Sequence, residues 1–267
     1  MEIIPLWYNP QTQKYRYART ATAEENKSVA EAVQARIARE FPNVQGLKGY
    51  FKHDSETGVN RGSSTFIGIL VNQEWMKRST GALWVPSVAE YKSLERAGKL
   101  SNDVYRDIGI VAYTAGSPNK EIAESLISQA QGKHNVPIVV PSFKALGTPT
   151  IAENSYGLDI PLSGDTSEVV SGKKGQEFLE ANFPNRVGNS GVRGLGRDGG
   201  GWGASWGVGL GSSGGGGRVG DFVCGEATAE NLGQMVMDID NAQIEMLRKT
   251  QKQRIDAFNQ SLGALKR

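Results

Sequence analysis

The chain has 267 residues, which is long enough to bury a core without help from a metal or a disulfide. Its 30 basic and 28 acidic side chains give a net charge of +2, which argues against a general nucleic-acid or membrane-surface binder. The single cysteine, Cys224, excludes an intramolecular disulfide and a Cys-rich zinc site. We therefore expect a cytoplasmic protein without cofactor, metal or membrane partner.

No export signal or membrane span is expected. Residues 1–5 lack the basic and apolar regions of a secretory signal. The uncharged stretch 199–217 has the length of a membrane span, but only five of its nineteen residues are Trp, Ala, Val or Leu.

The first third of the chain predicts strands around one helix. Residues 14–19 alternate polar and aromatic side chains, as an exposed strand does. Thr22 and Glu25 form a capping-box pattern before a helix that ends at Pro42. The apolar runs 50–51 and 65–71 are interpreted as further strands, separated by a polar turn.

A second capped helix is predicted over residues 88–97. Ser87 and Glu90 form its capping box, Val88, Tyr91 and Leu94 form an apolar face, and Gly98 is placed to end it.

The next pattern is a strand, a turn, a helix and a strand. Residues 108–113 and 137–140 are the apolar runs, and Ser117 with Pro118 is typical of a helix N-terminus. Free backbone N–H groups at such a turn can bind phosphate, so Gly116, Ser117 and Lys120 are candidate ligand-binding residues. The turn lacks both glycine-rich nucleotide-binding motifs, so a purely structural turn is the favoured interpretation.

Residues 156–162 predict an edge strand, and residues 166–182 predict a polar helix closed by Pro184. Half of the glycines, 17 of 34, then fall within residues 185–225. Trp202, Ala204, Trp206, Val208 and Leu210 alternate with Gly or Ser, which is the period of a strand.

A hairpin follows from this alternation, with residues 218–224 as the predicted return strand. Its aromatic face, Trp202 and Trp206, would pack on the protein's own core or a subunit, or would contact a flat ligand. One Arg-Gly dipeptide at Arg193 is too little to indicate an RNA-binding tract.

A long helix is predicted from Thr228 onward, because no proline interrupts the chain beyond it. An apolar seam with 4-3-4-3 spacing begins at Gln251, which could pack on the body or on another copy. Its apolar members are Ile244, Leu247, Ile255, Phe258, Leu262 and Leu265. The excess of basic residues over 248–267 is explained by the helix dipole, although an anionic partner stays open.

No catalytic residue is predicted. His53 and His134 lie outside any metal-ligand spacing, and Cys224 on an apolar strand is typical of a buried, inert thiol.

These patterns predict an α/β or α+β fold with a mixed-sheet body and flanking helices. We divide the chain into a body (1–184), a glycine-rich β segment (185–225) and a C-terminal amphipathic helix (226–267). The function expected is non-enzymatic assembly or binding, through self-association or a protein partner, with the C-terminal helix and the glycine-rich hairpin as packing surfaces. A component of a virion or other large complex would fit this expectation. The alternative is a small-molecule or nucleotide-binding enzyme that uses the turn 116–120.

Overall fold

The computed structural model describes residues 2–265 except 45–46, 48–49, 103, 131–134, 152–157, 163–165, 185–188, 200 and 207–216. Side chains are described for these residues except 151, 158, 205, 206 and 258–265. The fold is mixed α and β with flanking helices, a glycine-rich hairpin and a long C-terminal helix, which confirms the predicted class.

Helices are interspersed with single strands and groups of strands along the chain. The strands are β1 (Ile3–Asn9), β2 (Lys14–Thr20), β3 (Lys52–Asp54), β4 (Val59–Arg61), β5 (Leu83–Trp84), β6 (Arg106–Ala112), β7 (Ile138–Val140), β8 (Thr150–Ile151), β9 (Leu158–Asp159), β10 (Val170–Ser171), β11 (Val192–Asp198), β12 (Gly201–Trp206) and β13 (Phe222–Ala227). The helices are α1 (Ala23–Glu40), α2 (Thr65–Arg78), α3 (Val88–Arg96), α4 (Lys120–Ala130), α5 (Gly172–Asn182) and α6 (Ala229–Leu265), and Phe143–Ala145 form a 3-10 turn.

Two larger sheets organise the body. One has the strand order β1-β2-β13-β5, and the other has the order β10-β7-β6-β11-β12. Every strand pair in the described part of the chain is antiparallel, which makes the architecture α+β.

Helix α2 fills the core, although its first half was predicted to be a strand. Ser64 accepts a hydrogen bond from the backbone N–H of Ile67 (3.1 Å) and caps the helix. The whole run 65–72 is buried, and Gly68 packs against the Phe143 ring. A helix buried on all sides has no polar face, so its sequence lacks the 3.6-residue period. The prediction of a strand at 65–71 is therefore wrong.

The two capping boxes are confirmed. In α1, Thr22 Oγ1 accepts from the Glu25 N–H (3.2 Å), while the Thr22 N–H donates to the Glu25 carboxylate (2.8 Å). The Ser87 N–H likewise donates to Glu90 (2.7 Å) at the start of α3. Gly98 follows α3 with φ of 68° and donates to the Glu95 carbonyl (2.9 Å), as a C-terminal glycine cap does.

Strand β6, helix α4 and strand β7 occur in the predicted order, but the two strands pair antiparallel. The helix begins at Lys120, so the prediction that Ser117 caps it is wrong. The turn before it is fixed to β11, because the Val192 N–H donates to the Pro118 carbonyl (3.0 Å) and Asn119 Nδ2 donates to the Val192 carbonyl (3.1 Å).

The glycine-rich hairpin pairs strands other than those predicted. Strand β12 pairs with the preceding β11, and β11 pairs with β6, so the hairpin extends the five-stranded sheet. The predicted return strand 218–224 begins at Phe222 and lies in the other sheet, between β2 and β5. The prediction failed because β11 also alternates and lies only a short turn away from β12. Residues 208 and 210 of the predicted strand lie outside the described part of the chain.

Three predicted boundaries also change. Helix α5 begins at Gly172 rather than Thr166, because residues 170–171 pair with β7. Residues 50–51 precede strand β3 instead of forming a strand. In the predicted strand 156–162, only Leu158–Asp159 form a strand, while residues 156–157 lie outside the described range.

Candidate interaction surface

Helix α6 begins beside the sheet that contains β2 and β13. Thr228 Oγ1 accepts a hydrogen bond from the Asn231 N–H (3.3 Å), and the Thr228 carbonyl accepts from the Leu232 N–H (2.9 Å). The helix contains 37 residues, which correspond to a length of about 55 Å. The predicted long C-terminal helix is therefore confirmed.

Beyond its start, α6 makes little contact with the body. Its contacts with other elements are concentrated on β2 and β13. From residue 240 to residue 257, every described side chain is exposed. A helix of this length normally buries an apolar face, so the exposed side chains form a candidate surface for another protein.

The exposed apolar residues of α6 include much of the predicted seam. Ile244, Leu247 and Ile255 have exposed fractions of 45%, 66% and 52%. Phe258, Leu262 and Leu265 belong to the helix, but their side chains lie outside the described residues.

Sequence reasoning missed other exposed apolar residues. Val236, Met237 and Met246 are also exposed, and only Met237 continues the seam, seven residues before Ile244. A longer heptad reading of the sequence would have found Met237. Met246 lies on the opposite side of the helix, and Val236 projects near Leu247 at the edge of the seam, so the seven-residue spacing predicts neither of them.

The charges of α6 separate along its length. Residues 229–245 contain four acidic and no basic residues, whereas residues 248–257 contain four basic residues and one acidic residue. All of these charged side chains are exposed. Within the helix, Arg248 pairs with Glu245 at 2.7 Å, near the point where the sign changes.

The candidate phosphate-binding residues are placed at the start of α4. Ser117 and Lys120 are exposed, and Gly116 is half-buried. Lys120 Nζ lies 3.6 Å from the Glu124 carboxylate, and Glu121 adds a negative charge to the first turn. These carboxylates reduce the attraction of the turn for an anion.

Trp202 of the hairpin belongs to the protein core. Its indole N–H donates to Glu95 Oε2 (2.8 Å), and its ring lies edge-on to Phe183, with 6.0 Å between the ring centroids. Burial raises the pKa of Glu95, but the hydrogen bonds from Trp202 and Arg197 outweigh this effect and hold the pKa below its usual value. The Trp206 backbone pairs with Gly194, and its side chain lies outside the described residues.

The buried carboxyl group of Asp107, on strand β6, lies between two hydroxyl groups. Ser63 Oγ donates to Asp107 Oδ2 (2.8 Å), and the Tyr105 hydroxyl donates to Asp107 Oδ1 (2.7 Å). Burial raises the pKa of Asp107 to about 6, although both hydrogen bonds act to lower it. No spacing pattern in the sequence signals this cluster, because the fold alone brings Ser63 to the other two residues.

A second buried carboxylate, Glu90, joins α3 to the four-stranded sheet. It accepts hydrogen bonds from Arg16 Nη1 (2.9 Å) and Trp84 Nε1 (3.1 Å). Arg16 also pairs with Glu226 at 2.8 Å. Cys224 is fully buried in this region, and burial raises the pKa of its thiol well above the usual value.

The described residues contain no group of three or more His, Cys, Asp or Glu side chains placed to hold a metal ion. None of the described helices combines the length and apolar character that a membrane span requires. Comparison with protein-family models, with curated proteins and with solved structures finds no match.

Proposed function

We propose that this chain is a non-enzymatic assembly protein that associates with further copies of itself through α6. The observation that supports this proposal is the exposure of Val236, Met237, Ile244, Met246, Leu247 and Ile255, at 42% to 66%, on a helix that extends from the body.

Four of these side chains, Met237, Ile244, Leu247 and Ile255, lie on or beside one side of α6. Burying the exposed part of each would contribute roughly 1 kcal/mol, so two copies of the helix would gain roughly 8 kcal/mol. This gain is comparable with the estimated 4–15 kcal/mol that association costs in lost freedom of motion. Pairing of α6 is therefore energetically reasonable without any further interface.

The proposal also includes a cytoplasmic location and membership of a larger complex. A cytoplasmic location agrees with the single buried thiol, and membership of a virion or other large complex would need a second contact surface. The alternative, an enzyme with a phosphate site at 116–120, is weakened by the carboxylates of Glu121 and Glu124.

The test is the mass of the protein in solution, measured by light scattering after size exclusion. We expect the full chain to be a defined oligomer and the variant Met237→Glu/Ile255→Glu to be a folded monomer. The control is Gln253→Glu, an exposed position on the opposite side of the helix, which should keep the oligomer. A full chain that is monomeric at all concentrations would disprove the proposal.

A further inference from the structure

We propose that two copies of α6 pair antiparallel, as a closed two-fold dimer with its centre near residue 246. The inference rests on the proposed self-association and adds the orientation and register of the two helices. It follows from the order of charged residues along two sides of the exposed seam.

The seam is defined by Met237, Ile244 and Ile255, which lie on one side of α6. Residues seven apart project in nearly the same direction from a helix. Met237 and Ile244 therefore form one row of the seam, and Arg248 and Ile255 form the other. All of these positions are exposed.

Two flanking rows border the seam. One contains Asp240, Leu247 and Arg254, and the other contains Asp238, Glu245 and Lys252, each with a spacing of seven residues. Both rows therefore begin with an acidic residue and end with a basic residue fourteen positions later.

An antiparallel partner brings the opposite charges together. In this register Met237 faces Ile255 of the partner copy, so residue i faces residue 492 − i across the seam. Outside the seam, each flanking row meets the same row of the other copy. Asp240 then lies beside Arg254 and Asp238 beside Lys252, each within two residues of the directly facing position. The two-fold axis repeats each pair, so four ion pairs flank the seam. A parallel partner would instead place acidic residues beside acidic residues and basic beside basic, which is unfavourable.

Interactions within one helix do not account for the positions of Asp240 and Arg254. Favourable interactions with the helix dipole are limited to the first and last turns, whereas Asp240 and Arg254 lie far from both helix ends. Neither side chain forms an ion pair with another described residue, and the two are separated by about 21 Å along the axis.

Cysteine cross-linking distinguishes the two orientations. We would prepare Asn241→Cys and Gln251→Cys separately, on chains with tags of different size, because both positions are exposed and polar. In the antiparallel dimer, residue 241 faces residue 251, so a mixture should form a mixed disulfide and each variant alone should not. Two copies of residue 241 would be about 15 Å apart, which is too far for a disulfide.

The parent chain is the control, since its own thiol, Cys224, is buried and should give no cross-link. Efficient disulfides in each variant alone would show a parallel pair and overturn the inference while the self-association stands. A monomeric chain without any cross-link would overturn both.

Charge reversal gives a second, independent measurement. Asp240→Arg should weaken the dimer about tenfold or more, because it places two cations beside the Arg254 residues of the pair. The double variant Asp240→Arg/Arg254→Asp should regain the affinity of the parent, and the differences should shrink at 1 M NaCl. Equal affinity of Asp240→Arg and the parent at low salt would contradict the register.

Discussion

Because Asp107 is buried and its pKa is raised, we expect this residue to favour the folded state more at mildly acidic pH than at neutral pH. Its folded pKa of about 6 lies above the usual 3.8. A raised carboxyl pKa gives a contribution to stability that is fully present below pH 3.8 and is lost as the pH rises through 6. The substitution Asp107→Asn removes this titration while keeping the size of the side chain.

The two pKa values set the magnitude. The loss amounts to about 3 kcal/mol over the whole range, and between pH 5 and pH 7 it amounts to about 1 kcal/mol. Urea unfolding of the parent and of Asp107→Asn at both pH values would measure it. At each pH, the unfolding free energy of the parent is subtracted from that of Asp107→Asn. The result should be about 1 kcal/mol more positive at pH 7 than at pH 5.

The comparison cancels other titrating groups. The pKa values of Glu25, Glu40 and Glu95 are held below the usual value, so their contribution to the stability of the fold falls with the pH. This contribution is the same in both proteins. Tyr105→Phe removes one hydrogen-bond donor to Asp107 and should move the transition to higher pH. An unchanged difference between the parent and Asp107→Asn across this range would refute the reasoning.

Three further predictions concern the stability of the body and can be checked by thermal unfolding. Gly191→Ala should destabilise the protein by about 2 kcal/mol or more, because φ is 63° and the added Cβ would collide with a backbone carbonyl. Gly98→Ala should cost only about 1 kcal/mol, because φ is 68° but the added Cβ would meet no other atom. Arg106→Met should cost about 3 kcal/mol because it leaves the largely buried Asp221 without its ion pair of 2.6 Å, and adding Asp221→Leu should restore most of the loss. Trp202→Phe should cost about 1–2 kcal/mol through the lost hydrogen bond to a carboxylate, and a smaller loss would show that water replaces the donor.

Local signals in the sequence located several elements well. The capping box of Thr22 and Glu25, the glycine at residue 98 and the uninterrupted run after Thr228 each act within a few residues, so the pattern alone predicts the element. Helix α2 shows the limit of this approach. Its apolar residues are buried on all sides, and only the surrounding sheet and the 3-10 turn at Phe143 determine that this run is a helix.

Pairing between distant segments is harder to predict from the sequence. The alternation around Trp202 indicates a strand, but it does not say whether β11 or β13 is its partner. The buried groups around Asp107 come from segments 44 residues apart and carry no spacing signal. In α6, by contrast, the seam and the charge order are both visible in the sequence, while the structure adds that this surface is free of the body.

The position of β13 links the proposed self-association to the completion of the four-stranded sheet during synthesis. This strand fills the centre of the four-stranded sheet and pairs with β2 across about two hundred residues of intervening chain. A nascent protein that stops earlier would leave β2 and β5 as unprotected edges. Because α6 follows β13 directly, the ribosome produces α6 only after the residues that close the sheet. If α6 pairs with another copy as proposed, a chain that presents this helix already carries β13.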